Sequence, residues 1–333
     1  MKAIAFEIPG SPEVLRLVDI PAPTIQKETE VLVQLRAAGI NPIDTKLRAR
    51  GTFYPEKIPH VLGCDGAGVV EAVGAAVQGF QVGDEVFFCN GGLGGPIGTY
   101  AELAVVDERF LAKKPASLSF AEAAAAPLIL ITAWESLYDR GRLQAGQKVL
   151  IQAGAGGVGH VAIQLAKLQG AEVCTTVSSE FKAEFVRQLG ADSVIFYKNT
   201  DVVEEVLAWT GGEGVDLAFD TVGGETFYKT IPAVKIYGDL VTILEPDPAL
   251  GNLKTARARN LRISLELMLT PMLQGLVEEQ KQQAHILQQC ARLCDRNLLK
   301  IHVSQTFPLE QAQAAHELLE AGSVTGKIVL LIS

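Results

Sequence analysis

Residues 149–162 read Val-Leu-Ile-Gln-Ala-Gly-Ala-Gly-Gly-Val-Gly-His-Val-Ala, and no other stretch restricts the possible folds as tightly. The apolar run from Lys148 to Ala153 predicts a strand, and Gly157 to Gln169 predicts a helix, so the glycines fall at a strand-to-helix turn. In that setting Gly154 permits a tight turn, Gly156 lets backbone approach a pyrophosphate, and Gly159 allows close helix–strand packing. With Gly157 and Val158 they open a helix whose free N–H groups and positive dipole end attract phosphate. The loop predicts a dinucleotide site. A glycine-rich turn without a ligand is the plainer alternative.

The surroundings extend the pattern. Strands are expected at 172–177, 193–196, 215–220 and 239–244, with helical stretches between them, Phe181 to Leu189 among them. Strand–helix alternation at this spacing means βαβ units and a parallel sheet. The first third differs. Segments 31–38, 66–74, 83–88 and 100–106 are β-branched runs bounded by Gly and Pro, as in a compact β-rich domain. Phe120 to Leu137 reads as helix, with Ser119 as N-cap. An amphipathic stretch, Leu276 to Cys294, precedes strands at 301–307 and 327–332, which could return to the first domain. The expected fold class is α/β, with a doubly wound parallel sheet at 123–299 and a β-rich catalytic domain from 1–122 and 300–333.

Several function classes are disfavoured. The 333 residues carry a formal charge of −9 and no basic run, which argues against nucleic acid and anionic membrane as partners. The longest apolar run, 123–133, contains Pro127 and is too short to span a bilayer. No signal-peptide pattern is visible, so a cytoplasmic location is expected. Five scattered cysteines form no disulfide framework, and Cys290 with Cys294 reads as two buried small residues on one helix face. The five histidines have no ligand spacing with the cysteines, so no metal is expected.

Cofactor choice is read at the end of the second strand of the parallel sheet. An NAD enzyme tends to place a carboxylate there for the ribose 2′-hydroxyl. Here Ser178 and Ser179 end the strand and Lys182 follows one turn into the helix, groups that suit a 2′-phosphate, so NADPH is expected. Glu180 dissents: pointing inward, it would weaken that preference.

Taken together, Ala38–Asp44, Leu62–Val70, Val82–Val86, Pro127 through Glu135, the glycine loop, Leu189–Asp192 and Gly326–Leu330 resemble the medium-chain dehydrogenase/reductase superfamily, and within it the zinc-free quinone oxidoreductase group. The resemblance covers almost the whole chain. It implies a Rossmann domain and a GroES-like catalytic domain, with the active site in a cleft between them. Asn41 and Cys64-Asp65 stand where zinc-containing relatives have metal ligands. By the same resemblance Asn41 lies beside the nicotinamide, Thr132 touches the cofactor near its reactive end, and Ser178, Lys182 and Tyr197 surround the 2′-phosphate. Lys327 is also assigned to the cofactor site. Tyr54 matches an active-site tyrosine. Lys46 replaces a tyrosine common in quinone reductases. The implied activity is hydride transfer from NADPH to a quinone or α,β-unsaturated carbonyl, with Asn41, Tyr54 and Lys46 as candidates to stabilise the developing oxyanion. A homodimer built on the edge of the Rossmann sheet is implied too. A zinc-free alcohol or carbonyl dehydrogenase and a non-catalytic NADPH-binding protein remain as alternatives.

Overall fold

A computed structural model describes residues 1–333. Contacts divide the chain into two units, Met1–Leu128 with Leu269–Ser333, and Ile129–Met268.

The Ile129–Met268 unit is a six-stranded, all-parallel sheet. Its strands lie in the spatial order Ser193–Phe196, Glu172–Val177, Lys148–Ile151, Val215–Asp220, Val234–Thr242, Arg262–Leu265. The first strand in sequence sits inside the sheet, and succeeding strands are added first on one side of it, then on the other. That reversal is the switch point of a doubly wound fold, where parallel sheets hold their ligands. The strands read as continuous apolar runs because both faces are covered. Leu150, Cys174, Ala218 and Leu240 are buried together with Val206, Phe227 and Ile231 from the connecting segments.

The other unit is β-rich, as expected. A seven-stranded sheet runs Val303–Pro308, Lys327–Leu331, Glu30–Ile40, Asp65–Val73, Glu85–Cys89, Ala112–Lys113, and Leu103–Asp107 pairs with Glu30–Ile40 off this path. A second sheet joins Arg16–Asp19, Lys2–Phe6 and His60–Val61. The late strand Lys327–Leu331 lies antiparallel to Glu30–Ile40, with Ile328 opposite Ile40. That register brings Lys327 to Asn41, the residue that follows the longer strand.

Two boundaries differ from the sequence expectation. The helix expected over 120–137 is broken: Phe120–Ala125 ends before Pro127, a second helix runs Pro127–Trp134, and a π-helical turn covers Glu135–Arg140. Pro127 has no N–H to continue the first ladder, so it opens a new helix instead. Ser119 does cap the first one, accepting the Glu122 N–H at 3.2 Å while Glu122 accepts the Ser119 N–H at 2.8 Å. The second difference is at 269–299, expected with the parallel sheet but grouped by contacts with the β-rich unit. Helix Val277–Asp295 packs on the Glu108–Phe110 turn and strand Ala112–Lys113, burying Ala284, Leu287, Cys290 and Cys294. No helix is long and apolar enough to cross a membrane.

Candidate cofactor and active site

The glycine loop follows strand Lys148–Ile151 at the switch point, and helix Gly157–Leu168 starts from it. Its turn is made differently from the simplest reading of the sequence. The left-handed residue is Ala153, with φ 51°. Gly154 is needed for space: a Cβ there would stand 2.0 Å from Thr175 Oγ1. The loop is tied to the next strand, with Ala153 N–H donating to Thr176 Oγ1 at 2.9 Å and Gly154 N–H to the Thr176 carbonyl at 3.1 Å. A Cβ on Gly159 would lie 2.4 Å from the Ala153 carbonyl oxygen, whereas one on Gly156 would meet only that oxygen, at 3.2 Å. The His160 amide, bonded to the Gly156 carbonyl at 3.1 Å, is the first donor of the helical ladder. The amides of Gly157, Val158 and Gly159 precede it and are the groups a helix start offers to an anion.

Beside the loop lies a cavity of about 760 Å³, lined by Gln152, Ala153, Thr176, Tyr197, Val222 and Lys229 among others. Its size is that of a ligand pocket, and its polar lining is held in place. Gln152 accepts from Thr176 Oγ1 at 2.8 Å and donates to Thr230 Oγ1 at 2.9 Å. Of this lining the sequence reading named only Tyr197.

At the end of strand Glu172–Val177, Ser178 is half-buried and Ser179 is exposed. Ser179 caps helix Glu180–Gln188, its hydroxyl accepting the Lys182 N–H at 3.4 Å. Glu180 is turned away from the strand end: it is exposed, and its Oε1 accepts from Arg187 Nη1 at 2.7 Å. Burial and the neighbouring Lys198 ammonium push the Lys182 ammonium down from its usual value. Two cations that repel each other are a place where a dianion relieves strain. Lys198 was not foreseen, although it directly follows Tyr197 at the end of the Ser193–Phe196 strand.

In the β-rich unit the predicted residues separate. Asn41 caps helix Pro42–Arg50 and is almost fully buried. Its Nδ2 donates to Asp65 Oδ2 at 2.8 Å, and its Oδ1 accepts a short hydrogen bond from Lys327 Nζ. Lys327 also donates to the Ile40 carbonyl at 2.7 Å and stands 4.0 Å from Asp65 Oδ2. Asp65 Oδ1 accepts the Leu128 N–H at 2.8 Å. Behind Asn41, Asp44 Oδ2 accepts the Asn41 N–H at 2.8 Å and the Tyr100 hydroxyl at 3.2 Å, and that hydroxyl also meets His316 Nε2 at 3.2 Å. Burial pushes the Asp44 carboxyl up to about 7 and that of Asp65 up to about 6. It also drives His316 down to about 3. Asp65 was noted only as a replaced metal ligand, and Tyr100 and His316 were given no role, since nothing local in the sequence links them to Asn41.

Tyr54 is half-buried. Its ring faces Gly95, carries the Lys57 ammonium 5.2 Å from its centroid, and helps line a cavity of about 350 Å³ with Asn90, Leu93, Met272 and Leu273. Lys46 is exposed on helix Pro42–Arg50. Thr132 is buried in helix Pro127–Trp134 of the other unit.

The donor groups do not suit zinc. No three of His, Cys, Asp and Glu converge. His60 bonds Thr52 through Nδ1 at 3.3 Å and packs on Phe6. Near Asn41 and Asp65 the place of a cation is taken by the Lys327 ammonium, which would repel a metal ion.

Comparison with known proteins identifies the family. Residues 27–116 match the family described as alcohol dehydrogenase GroES-like domain, and residues 189–330 the one described as zinc-binding dehydrogenase. The quinone oxidoreductase of Pseudomonas aeruginosa is 36% identical over 331 residues, 99% of each chain. A 2-methylene-furan-3-one reductase of Solanum lycopersicum is 40% identical over 252 residues, 73% of this chain and 62% of its own. The crystal structure of Escherichia coli quinone oxidoreductase complexed with NADPH superposes with a TM-score of 0.86 at 30% identity, covering 99% of this chain and 100% of that one. With its β-rich unit, its switch-point glycine loop and relatives of this kind along its whole length, the chain belongs to the zinc-free quinone oxidoreductase group of the medium-chain dehydrogenase/reductase superfamily.

Proposed function

We propose that this protein is an NADPH-dependent reductase that transfers hydride to a quinone or an α,β-unsaturated carbonyl without zinc. The observation that carries the reading is the pairing of the switch-point loop with a strand end that holds Ser178, Ser179, Lys182 and Lys198 but no inward carboxylate. The NADPH-bound relative and the furanone reductase support it. NADPH, when bound, supplies the hydride. The chain's residues do the rest. The amides of Gly157, Val158 and Gly159 hold the pyrophosphate, the serines and lysines hold the 2′-phosphate beside Tyr197, and Thr132 and Asn41 are each a candidate to touch the nicotinamide. Tyr54 is the candidate to donate a hydrogen bond to the oxygen that gains charge. Lys46, exposed on its helix, is a candidate only where substrate reaches that face.

The test is NADPH oxidation in the presence of a simple quinone and of a simple enone. Turnover with neither, despite tight NADPH binding, would support a non-catalytic binding protein instead. Replacing Ser178 and Lys182 by Ala should weaken NADPH by on the order of 100-fold, as expected for lost charged hydrogen bonds, and NADH by far less. Equal losses for the two cofactors would contradict the assignment.

We also propose a homodimer joined at the outer strand Arg262–Leu265, where Leu265, Leu267, Ile236 and Tyr237 are exposed. Leu265→Asp with Leu267→Asp should shift the sedimenting mass from two chains to one; an unchanged mass would rule out that edge. Five free cysteines fit a reducing, cytoplasmic location.

A further inference from the structure

Lys327 lies within the β-rich unit, with two hydrogen bonds and one ion-pair contact. Its ammonium donates to the Ile40 carbonyl at 2.7 Å and to Asn41 Oδ1, and it stands 4.0 Å from Asp65 Oδ2, close enough for ionic attraction but not for a hydrogen bond. Its side chain is almost completely buried. The sequence assigns this lysine to the cofactor site, and its protein partners there are Ile40, Asn41 and Asp65.

We infer that Lys327 is a positioning residue that acts through Asn41, and that with Asp65 it fixes which end of the Asn41 carboxamide is donor and which is acceptor. The inference rests on the proposal that Asn41 flanks the nicotinamide. An amide side chain can turn over, exchanging its oxygen and nitrogen with little change in shape. Here it cannot do so without loss. An ammonium only donates, so it must face Oδ1. An ionised carboxylate only accepts, so it must face Nδ2. The flipped amide would set N–H against ammonium and oxygen against carboxylate. Asn41 is held at its main chain as well, by Asp44 at 2.8 Å. One Nδ2–H is used on Asp65 at 2.8 Å, which leaves the second as the remaining donor of the carboxamide. The ligand atom it serves is therefore an acceptor, a carbonyl oxygen of the nicotinamide amide or of the substrate.

The test uses the full-length protein with three changes: Asn41→Ala, Lys327→Met, and the pair Lys327→Met with Asp65→Asn. The pair removes one charge of each sign, so it remains folded where the single change leaves buried carboxylates uncompensated. The pair is expected to lose on the order of 100-fold in kcat at saturating NADPH, the scale of a misplaced contact, while NADPH affinity changes less than about threefold. Adding Asn41→Ala to the pair should cost nothing more, because both changes remove one interaction. A loss confined to NADPH affinity, or losses that multiply with Asn41→Ala, would overturn the inference. Thio-NADPH separates the two acceptors. The effect of the pair shrinks with this analogue if the partner is the nicotinamide amide oxygen, and persists if it is the substrate carbonyl.

A second readout needs no turnover. With 15N-labelled asparagine, the Asn41 side-chain amide, identified by its loss in Asn41→Ala, should give two well-separated proton signals in the parent protein. They should move together in the pair variant. Unchanged signals would overturn the clamp, whereas separated signals in a protein that reduces no acceptor would overturn only the functional proposal.

Discussion

Gly159→Ala is expected to weaken NADPH binding by roughly 100-fold and to lower folding stability by about 1–3 kcal/mol, the usual cost of overpacking. The new methyl group would stand 2.4 Å from the Ala153 carbonyl oxygen and 2.8 Å from Gly154 Cα, both backbone atoms that cannot swing aside. Relief requires helix Gly157–Leu168 to back away from the loop. Its leading amides then no longer converge with the loop on one phosphate group. Gly156→Ala provides the contrast, because its methyl meets only the Ala153 carbonyl, at 3.2 Å, and otherwise points to open space. That variant should melt close to the parent temperature yet still bind NADPH more weakly if, as proposed, the pyrophosphate lies against this backbone. Fluorescence titration of NADPH and thermal melting of both variants decide the matter. Parent-like NADPH affinity in both would remove the loop from the cofactor site.

Asp44→Asn is expected to stabilise the protein at high pH and to bring no gain at low pH. In the folded chain burial holds the Asp44 carboxyl near 7, against an ordinary value of 3.8, with Asp65 raising it further and the Asn41 N–H, Lys327 and Tyr100 opposing. The folded chain thus retains a proton that the unfolded chain releases once the pH passes about 4. Stability from this group is greatest below that pH, falls as the pH rises toward about 7, and is level above it, a total on the order of 4 kcal/mol. Asp65, at about 6, adds to the same decline. An amide at position 44 still accepts from the Asn41 N–H and the Tyr100 hydroxyl but never ionises. The variant should therefore be more stable than the parent at pH 8 and no more stable at pH 4.5. Urea unfolding at the two pH values measures it, and parallel curves would show that Asp44 does not carry the proton.

What could be read in the sequence was mostly local. The glycine loop was legible because its spacing, the strand before it and the helix after it all fall within about twenty residues. Ser119 with Glu122 was legible for the same reason. The breaks came where distant packing decides. The stripe on Leu276 to Cys294 announced burial, but not that its partners would be the Glu108–Phe110 turn and strand Ala112–Lys113. Glu180 was ambiguous because its direction depends on Arg187, two helical turns away. Lys327 was picked out for its segment, but its contact with Asn41 was not legible, since only strand register places the two together. Lys198 could have been noticed beside Tyr197, but its effect on Lys182 depends on how the ends of neighbouring strands lie together.

The pairing of Lys327 with Asn41 spans 286 positions. A ribosome delivers the two ends of that contact far apart in time. Chains fold by domain as they emerge, N-terminal parts first, so all of Ile129–Met268 is available to fold before Lys327 exists. During that interval strand Glu30–Ile40 lacks its Lys327–Leu331 neighbour, and Asp65 lacks its counter-ion. A nascent chain can thus acquire a complete nucleotide loop while its Asn41 carboxamide is still free to turn. The Asn41 clamp would therefore form later in synthesis than the nucleotide loop.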